Sequence, residues 1–333
     1  MAERQDSAQT IFKFLSGVYR WHPSENATET GEPKFGARDR LPRSSNKALY
    51  CRWCTFRQMT ITPFHNNLMT TPDISCVIPT YNDRTNLTRA VESVLAQHNA
   101  HVEVILVDDY SNDETREFIT QLTGRDDRIR SFFLPRNGGQ SLARNIGAML
   151  AQGRFLTFLD QDDEHAEGWY RDAVDHLLAN PDVAALSGHA AVVDIPQRFG
   201  IDESDIRVRG LSLVFINNIA FRRSVFLASG GFQTSATWRN ATAGEDGVYR
   251  LALFRHWQFV RCERPALIHR AKEGGATVYF LDRNEVRDGQ VVAKEYHEIE
   301  TNGELAAAQE AFLVRTSAIA EEIRRCIKPR PEL

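Results

Sequence analysis

Arg154-Phe-Leu-Thr-Phe-Leu-Asp-Gln-Asp-Asp-Glu164 holds the transition on which the fold reading turns. An apolar run of strand length, Phe155, Leu156, Phe158 and Leu159, stops abruptly at three carboxylates, Asp160, Asp162 and Asp163. Acids so close repel one another unless a cation sits among them. In open α/β sheets ligands bind beyond the carboxyl ends of the strands, and hard divalent ions such as Mg²⁺ or Mn²⁺ prefer such oxygen ligands. A solvated turn after a core strand reads the same way, so the neighbouring stretches decide.

Upstream, strand and helix patterns alternate from Asp73 onward. Ile74–Ile78 is a short apolar strand, and Asn86 is placed to cap a helix whose Leu87, Ala90, Val91, Val94 and Leu95 fall on one face. A second strand, Val102–Val107, ends in Asp108-Asp109; Ser111 and Glu114 have capping-box spacing for a helix over Asp113–Leu122. A third strand, Ile129–Leu134, runs into Asn137-Gly138-Gly139 and a helix with Leu142, Ile146 and Leu150 on one face. Arg154–Leu159 is then the fourth strand. This order predicts an α/β domain built on a doubly wound, mostly parallel sheet, with right-handed crossovers and helices on both faces.

Downstream, Trp169–Ala179 reads as a helix, Val183–Leu186 and Leu211–Phe221 as strands, and Gly230-Gly231 as a turn. Gly244–Phe254 is again helical, Val278–Val292 resembles a hairpin around Asp288-Gly289, and Glu304–Lys328 is a long closing helix. Its stripe of Phe312, Ile319, Ile323 and Ile327 is expected to dock on the domain.

The composition is that of an ordinary globular protein, with 42% hydrophobic and 25% charged residues. A net charge of −4 gives no broad electrostatic reason to bind nucleic acid. Five scattered cysteines suit reduced thiols and a cytoplasmic setting better than a disulfide framework. No run approaches the roughly 18–20 apolar residues of a membrane span, which leaves peripheral association at the inner face of the membrane open. Residues 1–72 differ from the rest, with ten Lys/Arg against six Asp/Glu and a polar stretch over Trp21–Asn46. They are expected to form a poorly structured or accessory segment, with Met69 read as the functional start and 1–68 as an upstream extension. Cys51-Arg-Trp-Cys54 resembles half a zinc knuckle, but neither a second pair nor His65 completes it.

Taken together, six motifs are similar to those of family 2 glycosyltransferases of the GT-A (nucleotide-diphospho-sugar transferase) fold. They are Ile78-Pro-Thr-Tyr-Asn82, Val107-Asp-Asp-Tyr-Ser111, Asn137-Gly-Gly with Ala143-Arg-Asn145 and Gly147, Phe158-Leu-Asp-Gln-Asp-Asp163, Gly230-Gly-Phe232 and Gly244-Glu-Asp246. The resemblance runs from about Ile74 to Arg270 and implies a transferase domain over residues 73–280, with 281–333 a hairpin and helix packed on it. It implies a nucleotide-sugar donor, most simply a UDP-sugar, and a glycan, lipid-linked or other hydroxyl acceptor in surface glycan or polysaccharide assembly.

The resemblance also implies roles. Pro79, Thr80, Tyr81 and Asn82 hold the donor nucleotide, with Asp109 on the uracil and Asp108 bracing the loop. Arg144 meets the nucleotide after the Gly-Gly loop, a place where amides and a guanidinium can converge on phosphate. Asp162, with Asp160 beside it on the donor, holds a divalent metal (Mn²⁺ or Mg²⁺) against the leaving diphosphate; spacing leaves Asp163 as an alternative ligand. His269, followed by Arg270 and Lys272, closes over the diphosphate or ligates the metal. Asp246 is the general base of a single, inverting displacement, since an ordinary aspartate is ionised at pH 7. Trp238, Arg239 and Glu245 line the acceptor or its loop, and Asn217-Asn218 and Arg222-Arg223 fall near the same pocket. Two other classes share parts of the pattern: a nucleotide-sugar-binding domain without turnover, and a sugar-1-phosphate nucleotidyltransferase. The intact acids count against the first, and the lack of a Gly-rich, Arg-containing loop after the first strand against the second.

Overall fold

A computed structural model describes residues 71–239, 245–294 and 303–327. The expectations for residues 1–70, including Met69 and the Cys51/Cys54 pair, lie outside the described residues.

The first half follows the alternation read from the sequence. Strand β1 (Ile74–Thr80) pairs in parallel with β2 (Val102–Asp108) along its whole length and with β4 (Phe155–Phe158) on its other side. Strand β3 (Ile129–Phe133) adds in parallel to β2. Helices α1 (Arg84–Leu95), α2 (Thr115–Thr123) and α3 (Gln140–Leu150) make the crossovers. Alternate strand residues enter different cores: Ile74, Cys76 and Ile78 pack with α1, whereas Val77, Ile105 and Val107 pack with α3. Both faces are therefore covered, and the strands read as continuous apolar runs for that reason.

The second half completes an eight-stranded sheet in the order β3-β2-β1-β4-β7-β6-β8-β5. Its strands are β5 (Glu164–His165), β6 (Ala185–Val193), β7 (Ile219–Arg222) and β8 (Phe259–Arg270). Between them lie α4 (Trp169–Ala179), α5 (Ile206–Leu211), α6 (Arg223–Ser229), α7 (Ala236–Arg239) and α8 (Glu245–His256). Helix α9 (Ala276–Arg283), a hairpin of β9 (Asn284–Arg287) and β10 (Gln290–Ala293), and α10 (Gly303–Ile327) follow. Helix α10 buries Phe312 and Leu313, with the Phe312 ring 6.3 Å from that of Trp238 and 6.1 Å from that of Tyr249.

Four local readings are corrected. Asp83, not Asn86, caps α1, accepting from the Asn86 amide at 3.2 Å. The Ser111 hydroxyl is taken by the Asn82 amide, so it caps nothing and α2 starts only at Thr115. Leu211–Phe221 is not one strand: Asp205 caps a short helix ending at Leu211, and Asn218 ties the following turn to Gly188 and Ser212. The Asp288-Gly289 turn is present with φ of 52° and 71°, but Ala276–Arg283 before it is helical, burying Thr277, Val278 and Leu281 at helical spacing.

One glycine sets how closely α3 approaches the sheet. A Cβ on Gly147 would lie 2.2 Å from Val77 Cγ1 and 3.2 Å from Val107 Cγ2. Val77 is β-branched and buried in β1, so it cannot swing aside. Gly147→Ala is expected to lose about 1–3 kcal/mol of stability, read as a fall in the urea midpoint.

Candidate active site

The carboxyl ends of β1, β2 and β4 open on one cleft of about 460 Å³, lined among others by Thr80, Tyr81, Asp109, Asp160, Asp162 and His269. Its floor is joined across strands by side chains. Gln161 accepts from the Tyr81 amide at 2.9 Å and donates to the Tyr81 carbonyl at 3.1 Å, so the acidic turn after β4 is fastened to the end of β1. The Asp109 carboxylate accepts from the amides of Gly138 at 2.6 Å and Gly139 at 2.8 Å and fixes the loop before α3. The resemblance implied Asp109 on the uracil and Asp108 bracing the loop. Asp109 lines the cleft and also braces the loop before α3, while Asp108 is fully buried and braces its own loop by accepting from the Ser111 amide.

Pro79, Thr80 and Tyr81 line the cleft, with Tyr81 45% exposed. Asn82, grouped with them in the sequence, instead holds two loops together: its side chain accepts from the Asn112 amide and its own amide donates to Ser111. Its φ of 47° lies in the left-handed region that asparagine tolerates better than most residues.

The centre of the site is a buried cation. Arg144 projects from α3 with a side chain 0% exposed; Nη2 lies 2.6 Å from Asp160 Oδ1 and Nη1 lies 2.7 Å from Asp246 Oδ1. Glu245 is 3.8 Å from Nη1 and accepts from Gln140, at the start of α3. Arg144 was expected to reach the nucleotide. It is instead committed beneath the cleft, joining the acid after β4 to the acids at the start of α8. Burial opposes its charge, and the three acids raise its pKa despite that. Burial likewise works against ionised Asp160, but Arg144, with help from Asn217, holds it below the usual carboxylate range. Asp246 goes the other way: burial, with Glu245 and Asp160 adding to it against Arg144, pushes it up to about 7. Two carboxylates sharing one guanidinium thus have opposite tendencies, and only Asp246 is poised near neutrality.

The three acids of the opening stretch divide. Asp160 and Asp162 keep side-chain exposures of 30% and 26%, whereas Asp163 keeps 1%. Asp163 turns inward to His269 Nδ1 at 2.9 Å and also accepts from Asn217, so it faces away from the cleft that a ligand would enter. His269 presents its other nitrogen to Thr277 at 2.8 Å, which leaves neither ring nitrogen free for a metal in this arrangement. Burial opposes its protonation, but Asp163, with Asp160 and Asp162 behind it, raises its pKa. Lys272 lies 2.5 Å from Asp162 and supplies counter-charge at the cleft edge.

Trp238 is not at the cleft: it is 4% exposed and packs on Phe312, because α10 covers this side of the domain. The side chain of Arg239 lies outside the described residues. Gln140 and Arg250 went unnoticed in the sequence. Arg250 was discoverable there, since it stands four residues after Asp246 on one helix and so shares its face.

Residues 75–227 match the sequence profile described as "Glycosyl transferase family 2". This segment belongs to glycosyltransferase family 2. It carries the strand-end side of the cleft and Asp160 to Asp163 and stops before α8, so Asp246 lies beyond it, as do His269 and Lys272 on the other side of the cleft. An uncharacterized glycosyltransferase of Haemophilus influenzae is 39% identical over 112 residues, covering 34% of this chain and 45% of that protein. The putative teichuronic acid biosynthesis glycosyltransferase TuaG of Bacillus subtilis is 40% identical over 107 residues, covering 32% and 41%. The match spans less than half the length of either relative. The crystal structure of S. aureus TarS 1–349 in complex with UDP-GlcNAc superposes with a TM-score of 0.50 at 19% identity, covering 62% of this chain and 60% of that one. With the mostly parallel sheet, that likeness identifies the family 2 domain as a GT-A fold.

Proposed function

We propose that this chain is an inverting transferase that moves a sugar from a nucleotide-diphosphate donor, most simply a UDP-sugar, to a hydroxyl acceptor in surface glycan or polysaccharide assembly. The observation that carries the reading is the Asp160–Arg144–Asp246 bridge, which sets a donor-side acid and a base poised near neutrality on one guanidinium. Relatives named for teichuronic acid and succinoglycan biosynthesis, and a Campylobacter jejuni GalNAc(5)-diNAcBac-PP-undecaprenol beta-1,3-glucosyltransferase, support the setting. Among the described residues no helix is long and apolar enough to cross a membrane. Action in the cytoplasm, at the inner face where a lipid-linked acceptor would be met, belongs to the same proposal.

In the proposed reaction the acceptor oxygen forms a bond to the anomeric carbon as the bond from that carbon to the diphosphate oxygen breaks. Asp246 accepts the acceptor's proton, and the nucleoside diphosphate leaves with the bonding electrons. Tyr81 and Thr80 border the nucleotide end of the cleft, and Gln161 holds that edge against the acidic turn.

Among the described residues no three His, Cys, Asp or Glu side chains converge as a metal cage. Asp160 and Asp162 nevertheless fit a divalent ion of the kind held by one or two carboxylates plus substrate phosphate oxygens. When bound, such an ion would offset the charge developing on the diphosphate. His269 is assigned to fixing Asp163 and the start of α9, not to ligation.

Purified protein given Mn²⁺ and a panel of UDP-sugars and acceptors is expected to release UDP. Because Asp246 must be ionised to act, kcat/KM is expected to rise with pH through about 7 and to fall tenfold per unit well below it. The same raised value favours the neutral acid in the folded state. Its contribution to stability is therefore full below the ordinary carboxylate range and lost as pH rises through about 7. A rate independent of pH between 6 and 8 would remove Asp246 as the base, and the absence of both UDP release and a thermal shift with UDP would remove the transferase reading.

A further inference from the structure

Arg250 is a second fully buried arginine, 1% exposed, and unlike Arg144 it pairs with no carboxylate among the described residues. Its acceptors are neutral and come from separate segments. Nη1 donates to the Phe215 carbonyl at 2.5 Å and to Asn218 Oδ1 at 2.9 Å, and Nη2 donates to Ser187 Oγ of β6 at 2.8 Å. Its Nε has no partner. Burial, with Arg261 adding, pushes its pKa down to about 9, as expected of a cation without a counter-ion. An isolated buried charge is costly, and apolar replacements of buried charges are often neutral or stabilising. A side chain with five donors in a rigid fork does what no apolar residue can, which is to tie three segments at once.

Those segments are the ones whose relative position the reaction needs. Arg250 lies one turn after Asp246 on α8. Two of the three residues whose oxygens it binds, Phe215 and Asn218, bracket Asn217, which donates to Asp163 and whose backbone carbonyl meets His165 at 2.8 Å. The Phe215 ring also lies 4.7 Å from that of His269. A single guanidinium therefore connects the helix bearing the proposed base to the turn that supports the acidic stretch after β4. We infer that Arg250 is a positioning residue that fixes Asp246 relative to the Asp160–Asp163 turn, retained for this geometry at the expense of stability. The inference rests on Asp246 being the base.

Arg250→Met is expected to hold or raise the melting temperature while lowering kcat per folded molecule about 10- to 100-fold, since a misplacement of about 1 Å can cost on the order of 100-fold. The donor KM and the thermal shift with UDP should move less than about twofold, because no donor-edge residue touches Arg250. Arg250→Lys should recover part of kcat. A merely structural strut predicts the reverse pattern, with a lowered melting temperature and kcat unchanged once corrected for folded protein; that result overturns the inference. Should Arg250→Met not fold, Ser187→Ala, which removes only one acceptor, is to lower kcat severalfold at unchanged donor KM, and an unchanged kcat there overturns it. Wild-type protein that neither transfers sugar nor binds UDP refutes the transferase reading itself, whereas active wild type with equally active variants refutes only the role of Arg250.

Discussion

Asp246→Asn is expected to reduce sugar transfer by about 10²–10⁴-fold while leaving UDP binding intact, the range usual for removal of a general base. The carboxamide has nearly the shape of the acid but cannot take the acceptor's proton. The fold should tolerate the change, because burial already drives Asp246 toward its neutral form, which Asn imitates. Arg144 keeps Asp160 at 2.6 Å, so the cation is not stranded. UDP release measured beside the UDP-induced thermal shift separates the two effects. An Asn variant that transfers at the wild-type rate would require another base, and Glu245, already engaged by Gln140, would be examined first.

The parallel half of the sheet was legible because burial on both faces makes each strand an apolar run that stops at a polar edge. Val77 and Ile78 enter different cores, yet both had to be apolar, and Thr80, Asp109 and Asp160 mark where the strands emerge. Past α4 the sheet turns mixed and the elements shorten. Leu211–Phe221 has the composition of a strand but is shaped by contacts from far away in sequence, including Arg250 on the Phe215 carbonyl. Local propensity carries no record of such contacts.

The site was legible in its residues more than in their directions. Asp160, Asp162 and Asp163 differ little in sequence, and only the structure sends Asp163 inward to His269 while leaving its two neighbours on the cleft. Trp238 was chosen because indole faces stack on sugars, but the closing helix α10 claims it. The same limit applies to Arg144. A helix after a Gly-Gly loop presents donors to a ligand, yet a residue on its first turns can equally point beneath the cleft, where Arg144 meets two acids from distant segments.

That buried position makes Arg144→Met the substitution with the broadest consequences. Removing one partner of a buried ion pair commonly costs about 3–5 kcal/mol, because the other charge is left without compensation. Here Asp160 and Asp246 retain side-chain exposures of 30% and 25%, so water relieves part of the loss. A destabilisation of roughly 2–4 kcal/mol is expected from urea unfolding. Transfer should fall at least as far as in Asp246→Asn, since the proposed base Asp246 and Asp160 would lose their common anchor and repel. Arg144→Lys keeps the charge but not the planar fork that reaches both acids, and should lie between wild type and Met in stability and rate. The decisive measurement is the double variant Arg144→Met/Asp246→Asn. If the cost of Arg144→Met comes from stranded carboxylates, neutralising one of them should return part of the lost stability, making the double variant more stable than Arg144→Met alone. Equal or lower stability in the double variant would mean that Arg144 contributes by packing, for instance over the Phe232 ring 5.4 Å away, and not as the cation shared between the two acids.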